Sequence, residues 1–479
     1  MVTENSHRAL LSAAFACLVL SSCAVGPDYK RPTVEVPGAF KENSDWKVAE
    51  PGDSLPRGKW WEVFGDRELN ALMEQVDINN QNLKIAEARY RQAQALTQSS
   101  RSSFFPSIGA SASDTRSRSG SGRIGGSGAG NGINTSYNAS ASLVWELDIW
   151  GRIRRQIESS NSAEQASAAD LAAARLSAQA DLATNYFQLR VNDAQQQLLN
   201  DTVAAYAKSL ELTKNRYAVG VAGRVDVAQA ETQLKSAQAS ALDLGVQRAQ
   251  LEHAIALLVG KAPGNFSLPV MNWSGTLPRL PVALPSTLLE RRPDIAAAER
   301  RAAAANAQIG VAQAAYYPSL SFSGNTGYAS SSIEKWLTAP NRFWSLGPSL
   351  ALTLLDFGKR GAAKDQATAS YDQSVATYRQ TVLAGFQDVE DNLAALRILE
   401  AEALIQDEAV RAARESVTLT INQYKAGTIS YLNVVSVQTA QLSNERSAMS
   451  VLGRRLSASV GLIRALGGGW DSGEKVAAK

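Results

Sequence analysis

Two stretches of this chain nearly repeat one another: NRYAVGVAGRVDV from Asn215 to Val227, and NQYKAGTISYLNV from Asn422 to Val434. Tyr217 answers to Tyr424, Gly220 to Gly427 and Val227 to Val434, each at a spacing of 424 − 217 = 207. A fixed spacing says that one structural unit is used twice, and a period this long points to a duplicated half, not a solenoid.

The match extends outward from the turns. FFPSIGAS from Phe104 answers to YYPSLSFS from Tyr316, and WELDIWGR from Trp145 to LTLLDFGKR from Leu352. The spacing is 212 at Pro106 and Pro318 but 207 at Gly151 and Gly358, so the insertions fall between strand-like segments. Each half reads helix, strand, strand, long helix, turn, helix.

Ahead of the halves, the apolar run Leu10 to Leu20 follows Arg8 and is closed by LSSC at Leu20 to Cys23, the pattern of a secretory signal. The ending resembles a bacterial lipobox, which implies that Cys23 becomes the lipid-bearing N-terminus, and Ala24 after it resembles the outer-membrane sorting pattern. Cys17 leaves with the signal, so the mature chain has no internal disulfide and no cysteine metal cluster. A formal charge of +3 over 479 residues is too small to imply nucleic-acid binding, and there is no basic run of the kind that tracks phosphates. No apolar stretch of transmembrane-helix length follows Cys23. Entry into a membrane would have to be by strands.

Strands are what the period shows. Ile133, Thr135, Tyr137, Ala139, Ala141, Leu143, Trp145 and Leu147 alternate with a set in which only Val144 is apolar. Leu320, Phe322, Thr326 and Tyr328 alternate with Ser319, Ser321, Ser323, Asn325 and Gly327, and Trp344, Leu346, Leu350, Leu352 and Leu354 with mostly small or polar residues. Such segments have one apolar and one wet face. A soluble sandwich alternates equally well, but these segments reach the roughly 9 to 11 residues of a tilted spanning strand, with aromatics towards their ends. Each half supplies only two. A spanning sheet must close, and the smallest closed barrels use about eight strands, so several copies must combine. Two, three or four copies all remain open on strand count alone.

Neither glycine nor proline occurs between Gly151 and Gly220, and only Gly385 interrupts the stretch from Gly361 to Ala426. At about 1.5 Å per residue each is a helix on the order of 100 Å long. Leu199, Val203, Tyr206, Leu210, Thr213 and Tyr217 step by four and three, as do Gln406, Val410, Ala413, Val417, Thr420 and Tyr424. That is a coiled-coil seam repeated in register. Returning helices from about Val225 to Val259 and Tyr431 to Leu466 make each half a hairpin, with Gly220 or Gly427 where a helix end tolerates a left-handed residue.

The mature start CAVGPDYKRP, KWWEVFGDRELNALM from Lys59, LLERRPDI from Leu288 and the paired turns resemble the TolC-like outer-membrane efflux family. They are most similar to its lipoprotein branch of the OprM and NodT type, which serves pumps of the resistance-nodulation-division class. The resemblance runs from Cys23 to about Trp470. It implies an α+β membrane fold: a homotrimer whose twelve-stranded outer-membrane barrel, four strands per chain, continues into a periplasmic α-helical barrel. It also implies an exit duct for drugs or other small toxic compounds, working with a periplasmic adaptor and an inner-membrane pump in a Gram-negative envelope. A type I protein-secretion duct shares that architecture and is the alternative; the long helices speak against a passive porin. The expected division is a signal at 1–22, a lipid-anchored segment at 23–65, repeats at 66–265 and 288–468 around a linker at 266–287, and a tail at 469–479.

Catalysis finds no foothold in the sequence. Of two histidines, His7 lies in the signal and His253 stands alone on a helix, and there is no HExxH, P-loop or cysteine metal pattern. The glycines of Gly120 to Gly132 lie between two strands and read as an extracellular loop, so no cofactor is expected beyond the lipid on Cys23. In the resembled family the interhelical turns form the periplasmic gate and meet the adaptor. Tyr217, Gly220, Arg224 and Asp226 of the first turn, and Tyr424, Gly427, Asn433 and Ser436 of the second, are the corresponding candidates. Asp226 and Tyr424 match residues of a closing contact, while turn capping is the competing role for Asp226. Ile429, Asn433 and Ser436 replace the aspartates that relatives often place after the second turn, which argues against an acidic ring there. Trp60, Trp61 and Phe64 read as packing residues, and Arg291 to Asp294 as a helix start with Pro293 near its first position.

Overall fold

In the computed structural model, which describes residues 24–34, 58–118, 133–271 and 292–468, the period-two segments form one antiparallel sheet. Its strands are β1 (Ser107–Arg118), β2 (Ile133–Leu147), β3 (Ser319–Ser330) and β4 (Arg342–Ala351), hydrogen-bonded in that order. Cross-strand neighbours share a face. One row joins Ile108, Leu143, Gly324 and Leu346; the next joins Gly109, Ser142, Asn325 and Ser345. Apolar and polar rows continue to alternate, so the sheet has one apolar and one hydroxyl- and amide-lined face. Nothing among the described residues covers the apolar one: Trp344 is 73% exposed, Leu346 64% and Leu350 68%. Leu352 and Leu354 continue the alternation but lie beyond the end of β4. Edge strands β1 and β4 each have a partner on one side only.

The helices are α1 (Arg67–Asn79), α2 (Gln81–Ser102), α3 (Arg152–Ala218), α4 (Arg224–Leu258), α5 (Pro293–Ala314), α6 (Lys359–Lys425) and α7 (Tyr431–Ala465). The two long ones, α3 and α6, have 67 residues each, and α6 runs unbroken through Gly385. One device starts both. Asp148 accepts from the Ile153 and Arg154 N–H groups at 2.9 Å and pairs with the Arg154 side chain; Asp356 accepts from the Gly358 and Arg360 N–H groups and pairs with Arg360. A carboxylate placed against orphan N–H groups and the positive end of the helix dipole favours initiation there. Proline opens α5 as expected, with Asp294 accepting from the Ile295 N–H and from Arg292. No described helix is long and apolar enough to cross a membrane.

Two compact units cut across the sequence repeats. The first combines Met1–Thr33, Tyr90–Ser167 and Ala298–Tyr378, and contains the sheet. In it the segment after Cys23 is strapped down: the Val25 N–H donates to the Trp150 carbonyl at 3.0 Å, Arg155 to Asp28 at 2.7 Å, Asn306 to the Pro27 carbonyl at 2.9 Å and Tyr29 to Glu299 at 2.7 Å. Burial, and then the bond to Glu299, raises the Tyr29 phenol well above its ordinary pKa, so it remains a donor. Gly151, at φ +81°, lets Ala24 lie against its backbone, where a Cβ would stand 2.8 Å from the Ala24 Cα. Cys23, the signal, the Gly120–Gly132 loop, most of the linker and the tail lie outside the described residues.

The second unit holds Val34–Arg89, Ala168–Ala297 and Arg379–Lys479. Its main core gathers Trp60, Trp61, Leu69, Met73 and Val76 against Leu182, Tyr186, Phe187 and Leu189 of α3, with Ile255 of α4 and Leu456 and Ile463 of α7. Trp60 and Trp61 are buried and Phe64 lies 4.7 Å from Phe187, so the three aromatics pack as read. Part of the heptad seam is inside too: Leu199, Tyr206, Thr213, Val410 and Tyr424 are buried, whereas Tyr217 is exposed. Tyr206 meets Leu234 and Ala237 of α4, which is how the returning helix is held.

Candidate functional site

Both turns end their long helix in the same way. The Gly220 N–H donates to the Tyr217 carbonyl and the Val221 N–H to that of Arg216; the Gly427 N–H donates to the Tyr424 carbonyl and the Thr428 N–H to that of Gln423. This is a Schellman arrangement, which requires the left-handed φ that Gly220 and Gly427 adopt at +78° and +77°. Either glycine replaced by a β-branched residue would be strained.

Beyond that point the copies diverge. Tyr424 is 4% exposed, whereas its counterpart Tyr217 is 46% exposed. Tyr424 sits edge-on to Tyr431 at 5.4 Å in a small cluster with Ala230 and Val434, against which Ile429 packs. Its hydroxyl lies 3.4 Å from Thr213 Oγ1 on the other hairpin. The Arg216 guanidinium covers its ring at 4.8 Å and donates from Nη1 to the Lys425 carbonyl at 3.1 Å. Burial, followed by the nearby tyrosines and Asp226, pushes the Tyr431 phenol up to about 12 and keeps it neutral. The first hairpin thus grips the end of the second through Thr213 and Arg216. Lower down, Gln438 donates to Ser209 and Gln233 to Thr439, adding two more cross-hairpin bonds.

Asp226 faces its own turn. Its Oδ2 accepts from the Gly223 N–H at 3.0 Å, which caps α4, and within one chain it does not bond to Tyr424. The side chains of Tyr217, Arg224, Asn433 and Ser436 are exposed at the turns and bond to nothing among the described residues. Arg216 carries the contact between hairpins, and sequence reading missed it. The only available signal was a departure from the repeat, since the residue 207 positions on is Gln423. His253, the other residue weighed for chemistry, is exposed on α4.

The tie between the hairpins is made of polar and cation–π contacts, individually worth about 0.5–2 kcal/mol.

Known proteins share this fold. The sequence profile described as Outer membrane efflux protein matches residues 72–261 and 284–468. The toluene efflux pump outer membrane protein TtgC of Pseudomonas putida is 29% identical over 468 residues, covering 97% of this chain and 96% of that protein. The pyoverdine export outer membrane protein OpmQ of Pseudomonas aeruginosa is 30% identical over 469 residues, covering 96% and 97%. Among solved structures, the outer-membrane channel OprN superposes with a TM-score of 0.83 at 31% identity, covering 94% of this chain and all of that one.

Proposed function

The chain belongs to the outer membrane efflux protein family, and we propose that three copies of it form a closed duct that receives small toxic compounds from a periplasmic adaptor and an inner-membrane pump of the resistance-nodulation-division class. That it is an outer-membrane exit duct for efflux follows from the family. The observation that carries the assembly is the sheet: four strands, an uncovered apolar face, a polar face and two unpaired edges. An open edge cannot persist in lipid, so β1 of one copy pairs with β4 of the next until the ring closes. Three copies give twelve strands. Crosslinking the intact envelope, purifying the complex and identifying its components tests the partners; recovery of the trimer with no adaptor would overturn the tripartite reading.

In this reading the paired turns are the gate. Arg216 and Thr213 tie the second hairpin's end to the first, and release of that tie accompanies opening. Arg216→Ala should shift the closed-to-open balance by on the order of tenfold, from the loss of one cation–π contact and one charge-assisted hydrogen bond. The measurement is single-channel conductance in a planar bilayer, with sensitivity of the host to large antibiotics as a second reading. Asp226→Ala should raise both only if the carboxylate also reaches a neighbouring copy. A loss of about 1 kcal/mol in stability with unchanged conductance would make it a helix cap and nothing more.

Cys23 carries the lipid. Ala24, the next residue, is fixed against Gly151 where β2 passes into α3. Metabolic labelling with a palmitate analogue should mark the wild-type chain, and Cys23→Ser should abolish the label; a labelled Cys23→Ser protein would refute the assignment.

A further inference from the structure

At the end of the sheet that carries the interstrand loops, the apolar face changes character twice over a short distance. It first turns aromatic: Tyr137 lies 5.9 Å from Trp336, whose Nε1 donates to the Tyr328 carbonyl. It then turns basic. Register puts Arg116 and Arg118 on the same face as Ile108, Ala110 and Ala112, and Arg342 on the same face as Trp344 and Leu346. All three arginines are exposed, and no side chain among the described residues pairs with them. Asp114 is the carboxylate beside them on that face of β1. The connecting sequence from 119 to 132 adds an arginine and no acid.

Height agrees with the chemistry. From Ser107, where β1 begins, to Arg116 the strand climbs about 30 Å at about 3.3 Å per residue, which a tilt of about 40° reduces to about 23 Å of membrane depth. An apolar band in an outer membrane is about 25 Å tall, with aromatic girdles at its borders. Arg116 and Arg118 therefore fall at the upper border of that band, at headgroup level. A guanidinium on the lipid-facing side has a small cost there and matches phosphate oxygens in bidentate geometry. The basic ends also belong to the two edge strands, β1 and β4, which ring closure brings side by side. Like charges gathered at a seam call for a counter-anion.

We propose that the loop ends of β1 and β4 form, at each seam between copies, a binding site for the phosphate groups of outer-leaflet glycolipid, with Arg116, Arg118 and Arg342 as its ligands. The lipid neutralises the seam and staples adjacent copies together. This rests on the ring-closure reading above, and the test separates the two. The full-length oligomer is stripped of lipid in detergent, then offered a diphosphorylated acyl glycolipid or its enzymatically dephosphorylated form, and weighed by native mass spectrometry. The mass of the protein alone reports the number of copies, and the added mass reports the lipid. The expected result is retention of the phosphorylated form in preference to the dephosphorylated one. Affinity should weaken about fivefold for each arginine converted to alanine. Equal retention of the two forms by the wild-type oligomer overturns the proposal, as does undiminished binding by the triple alanine variant. Should that variant fail to assemble, the triple Arg→Lys protein decides: it keeps the charge and should keep the preference for phosphate. A protein mass other than three chains would overturn the trimer and leave the lipid result to stand on its own measurement.

Discussion

Leu346→Arg should abolish the assembled duct, while Ser345→Arg, one residue away, should leave it intact. Leu346 sits in the row with Ile108, Leu143 and Gly324 and is 64% exposed on the apolar face. Ser345 belongs to the row of Gly109, Ser142 and Asn325 on the polar face. An arginine on the lipid side near mid-membrane costs about 2–4 kcal/mol, and a trimer carries three, so about 6–12 kcal/mol falls on one assembly. That is of the order of a whole domain's stability. On the polar face the same side chain stays hydrated and only adds charge to the lumen. Semi-native electrophoresis of extracted membranes would read the outcome: the oligomer band should vanish for Leu346→Arg and persist for Ser345→Arg. The reverse pattern would mean that the faces have been assigned the wrong way round. Single-channel recordings of Ser345→Arg should show a shift towards anion selectivity, because three guanidiniums then line the passage.

The faces could be assigned from sequence because alternation is a local signal, carried by each strand independently of its partners. The same locality explains where the reading overshot. Leu352 and Leu354 continue the alternation although β4 ends at Ala351, since an apolar environment can extend past the last ladder bond. Helix identity is equally local: one long run without glycine or proline and one interrupted only by Gly385, closed by Gly220 and Gly427, give α3 and α6 to within a few residues. The break between α1 and α2 was not seen. Asn80 makes it from buried bonds to the Leu258 carbonyl and the Leu83 N–H, and its partner in α4 is 178 residues away. The paired turns show the same divide. Glycines at the turns follow from backbone conformation and repeat spacing, but Arg216 acts on Tyr424 and Lys425 across more than two hundred residues. Asp226, chosen because its position matched a gate residue, bonds within its own turn.

The divergence of the copies also has an energetic consequence away from the turns, at Arg190. Its side chain is fully buried, donating to Glu68 at 2.6 Å, to Asp193 at 3.0 Å and to the Pro269 carbonyl at 2.9 Å, with the guanidinium 4.9 Å from the Tyr186 ring. Tyr186 in turn donates to Asp66, the residue that caps α1, and Arg248 holds the other oxygen of Asp193. Removing one partner of a buried pair leaves an uncompensated charge, at a cost of about 3–5 kcal/mol; Arg248 offsets part of this for Asp193 but none of it for Glu68. The residue 207 positions on is Arg397, exposed on α6. An exposed arginine contributes about 0–1 kcal/mol. Arg190→Ala should therefore lower the apparent Tm of the extracted protein by several degrees and expose the Trp60–Asn79 segment to protease, whereas Arg397→Ala should do neither. Equal effects would mean that the repeats are energetically alike and that α1 is held by its apolar contacts alone. The Trp60–Asn79 segment covers Arg190 in the first repeat, and residues identical in the sequence are buried in one half and exposed in the other.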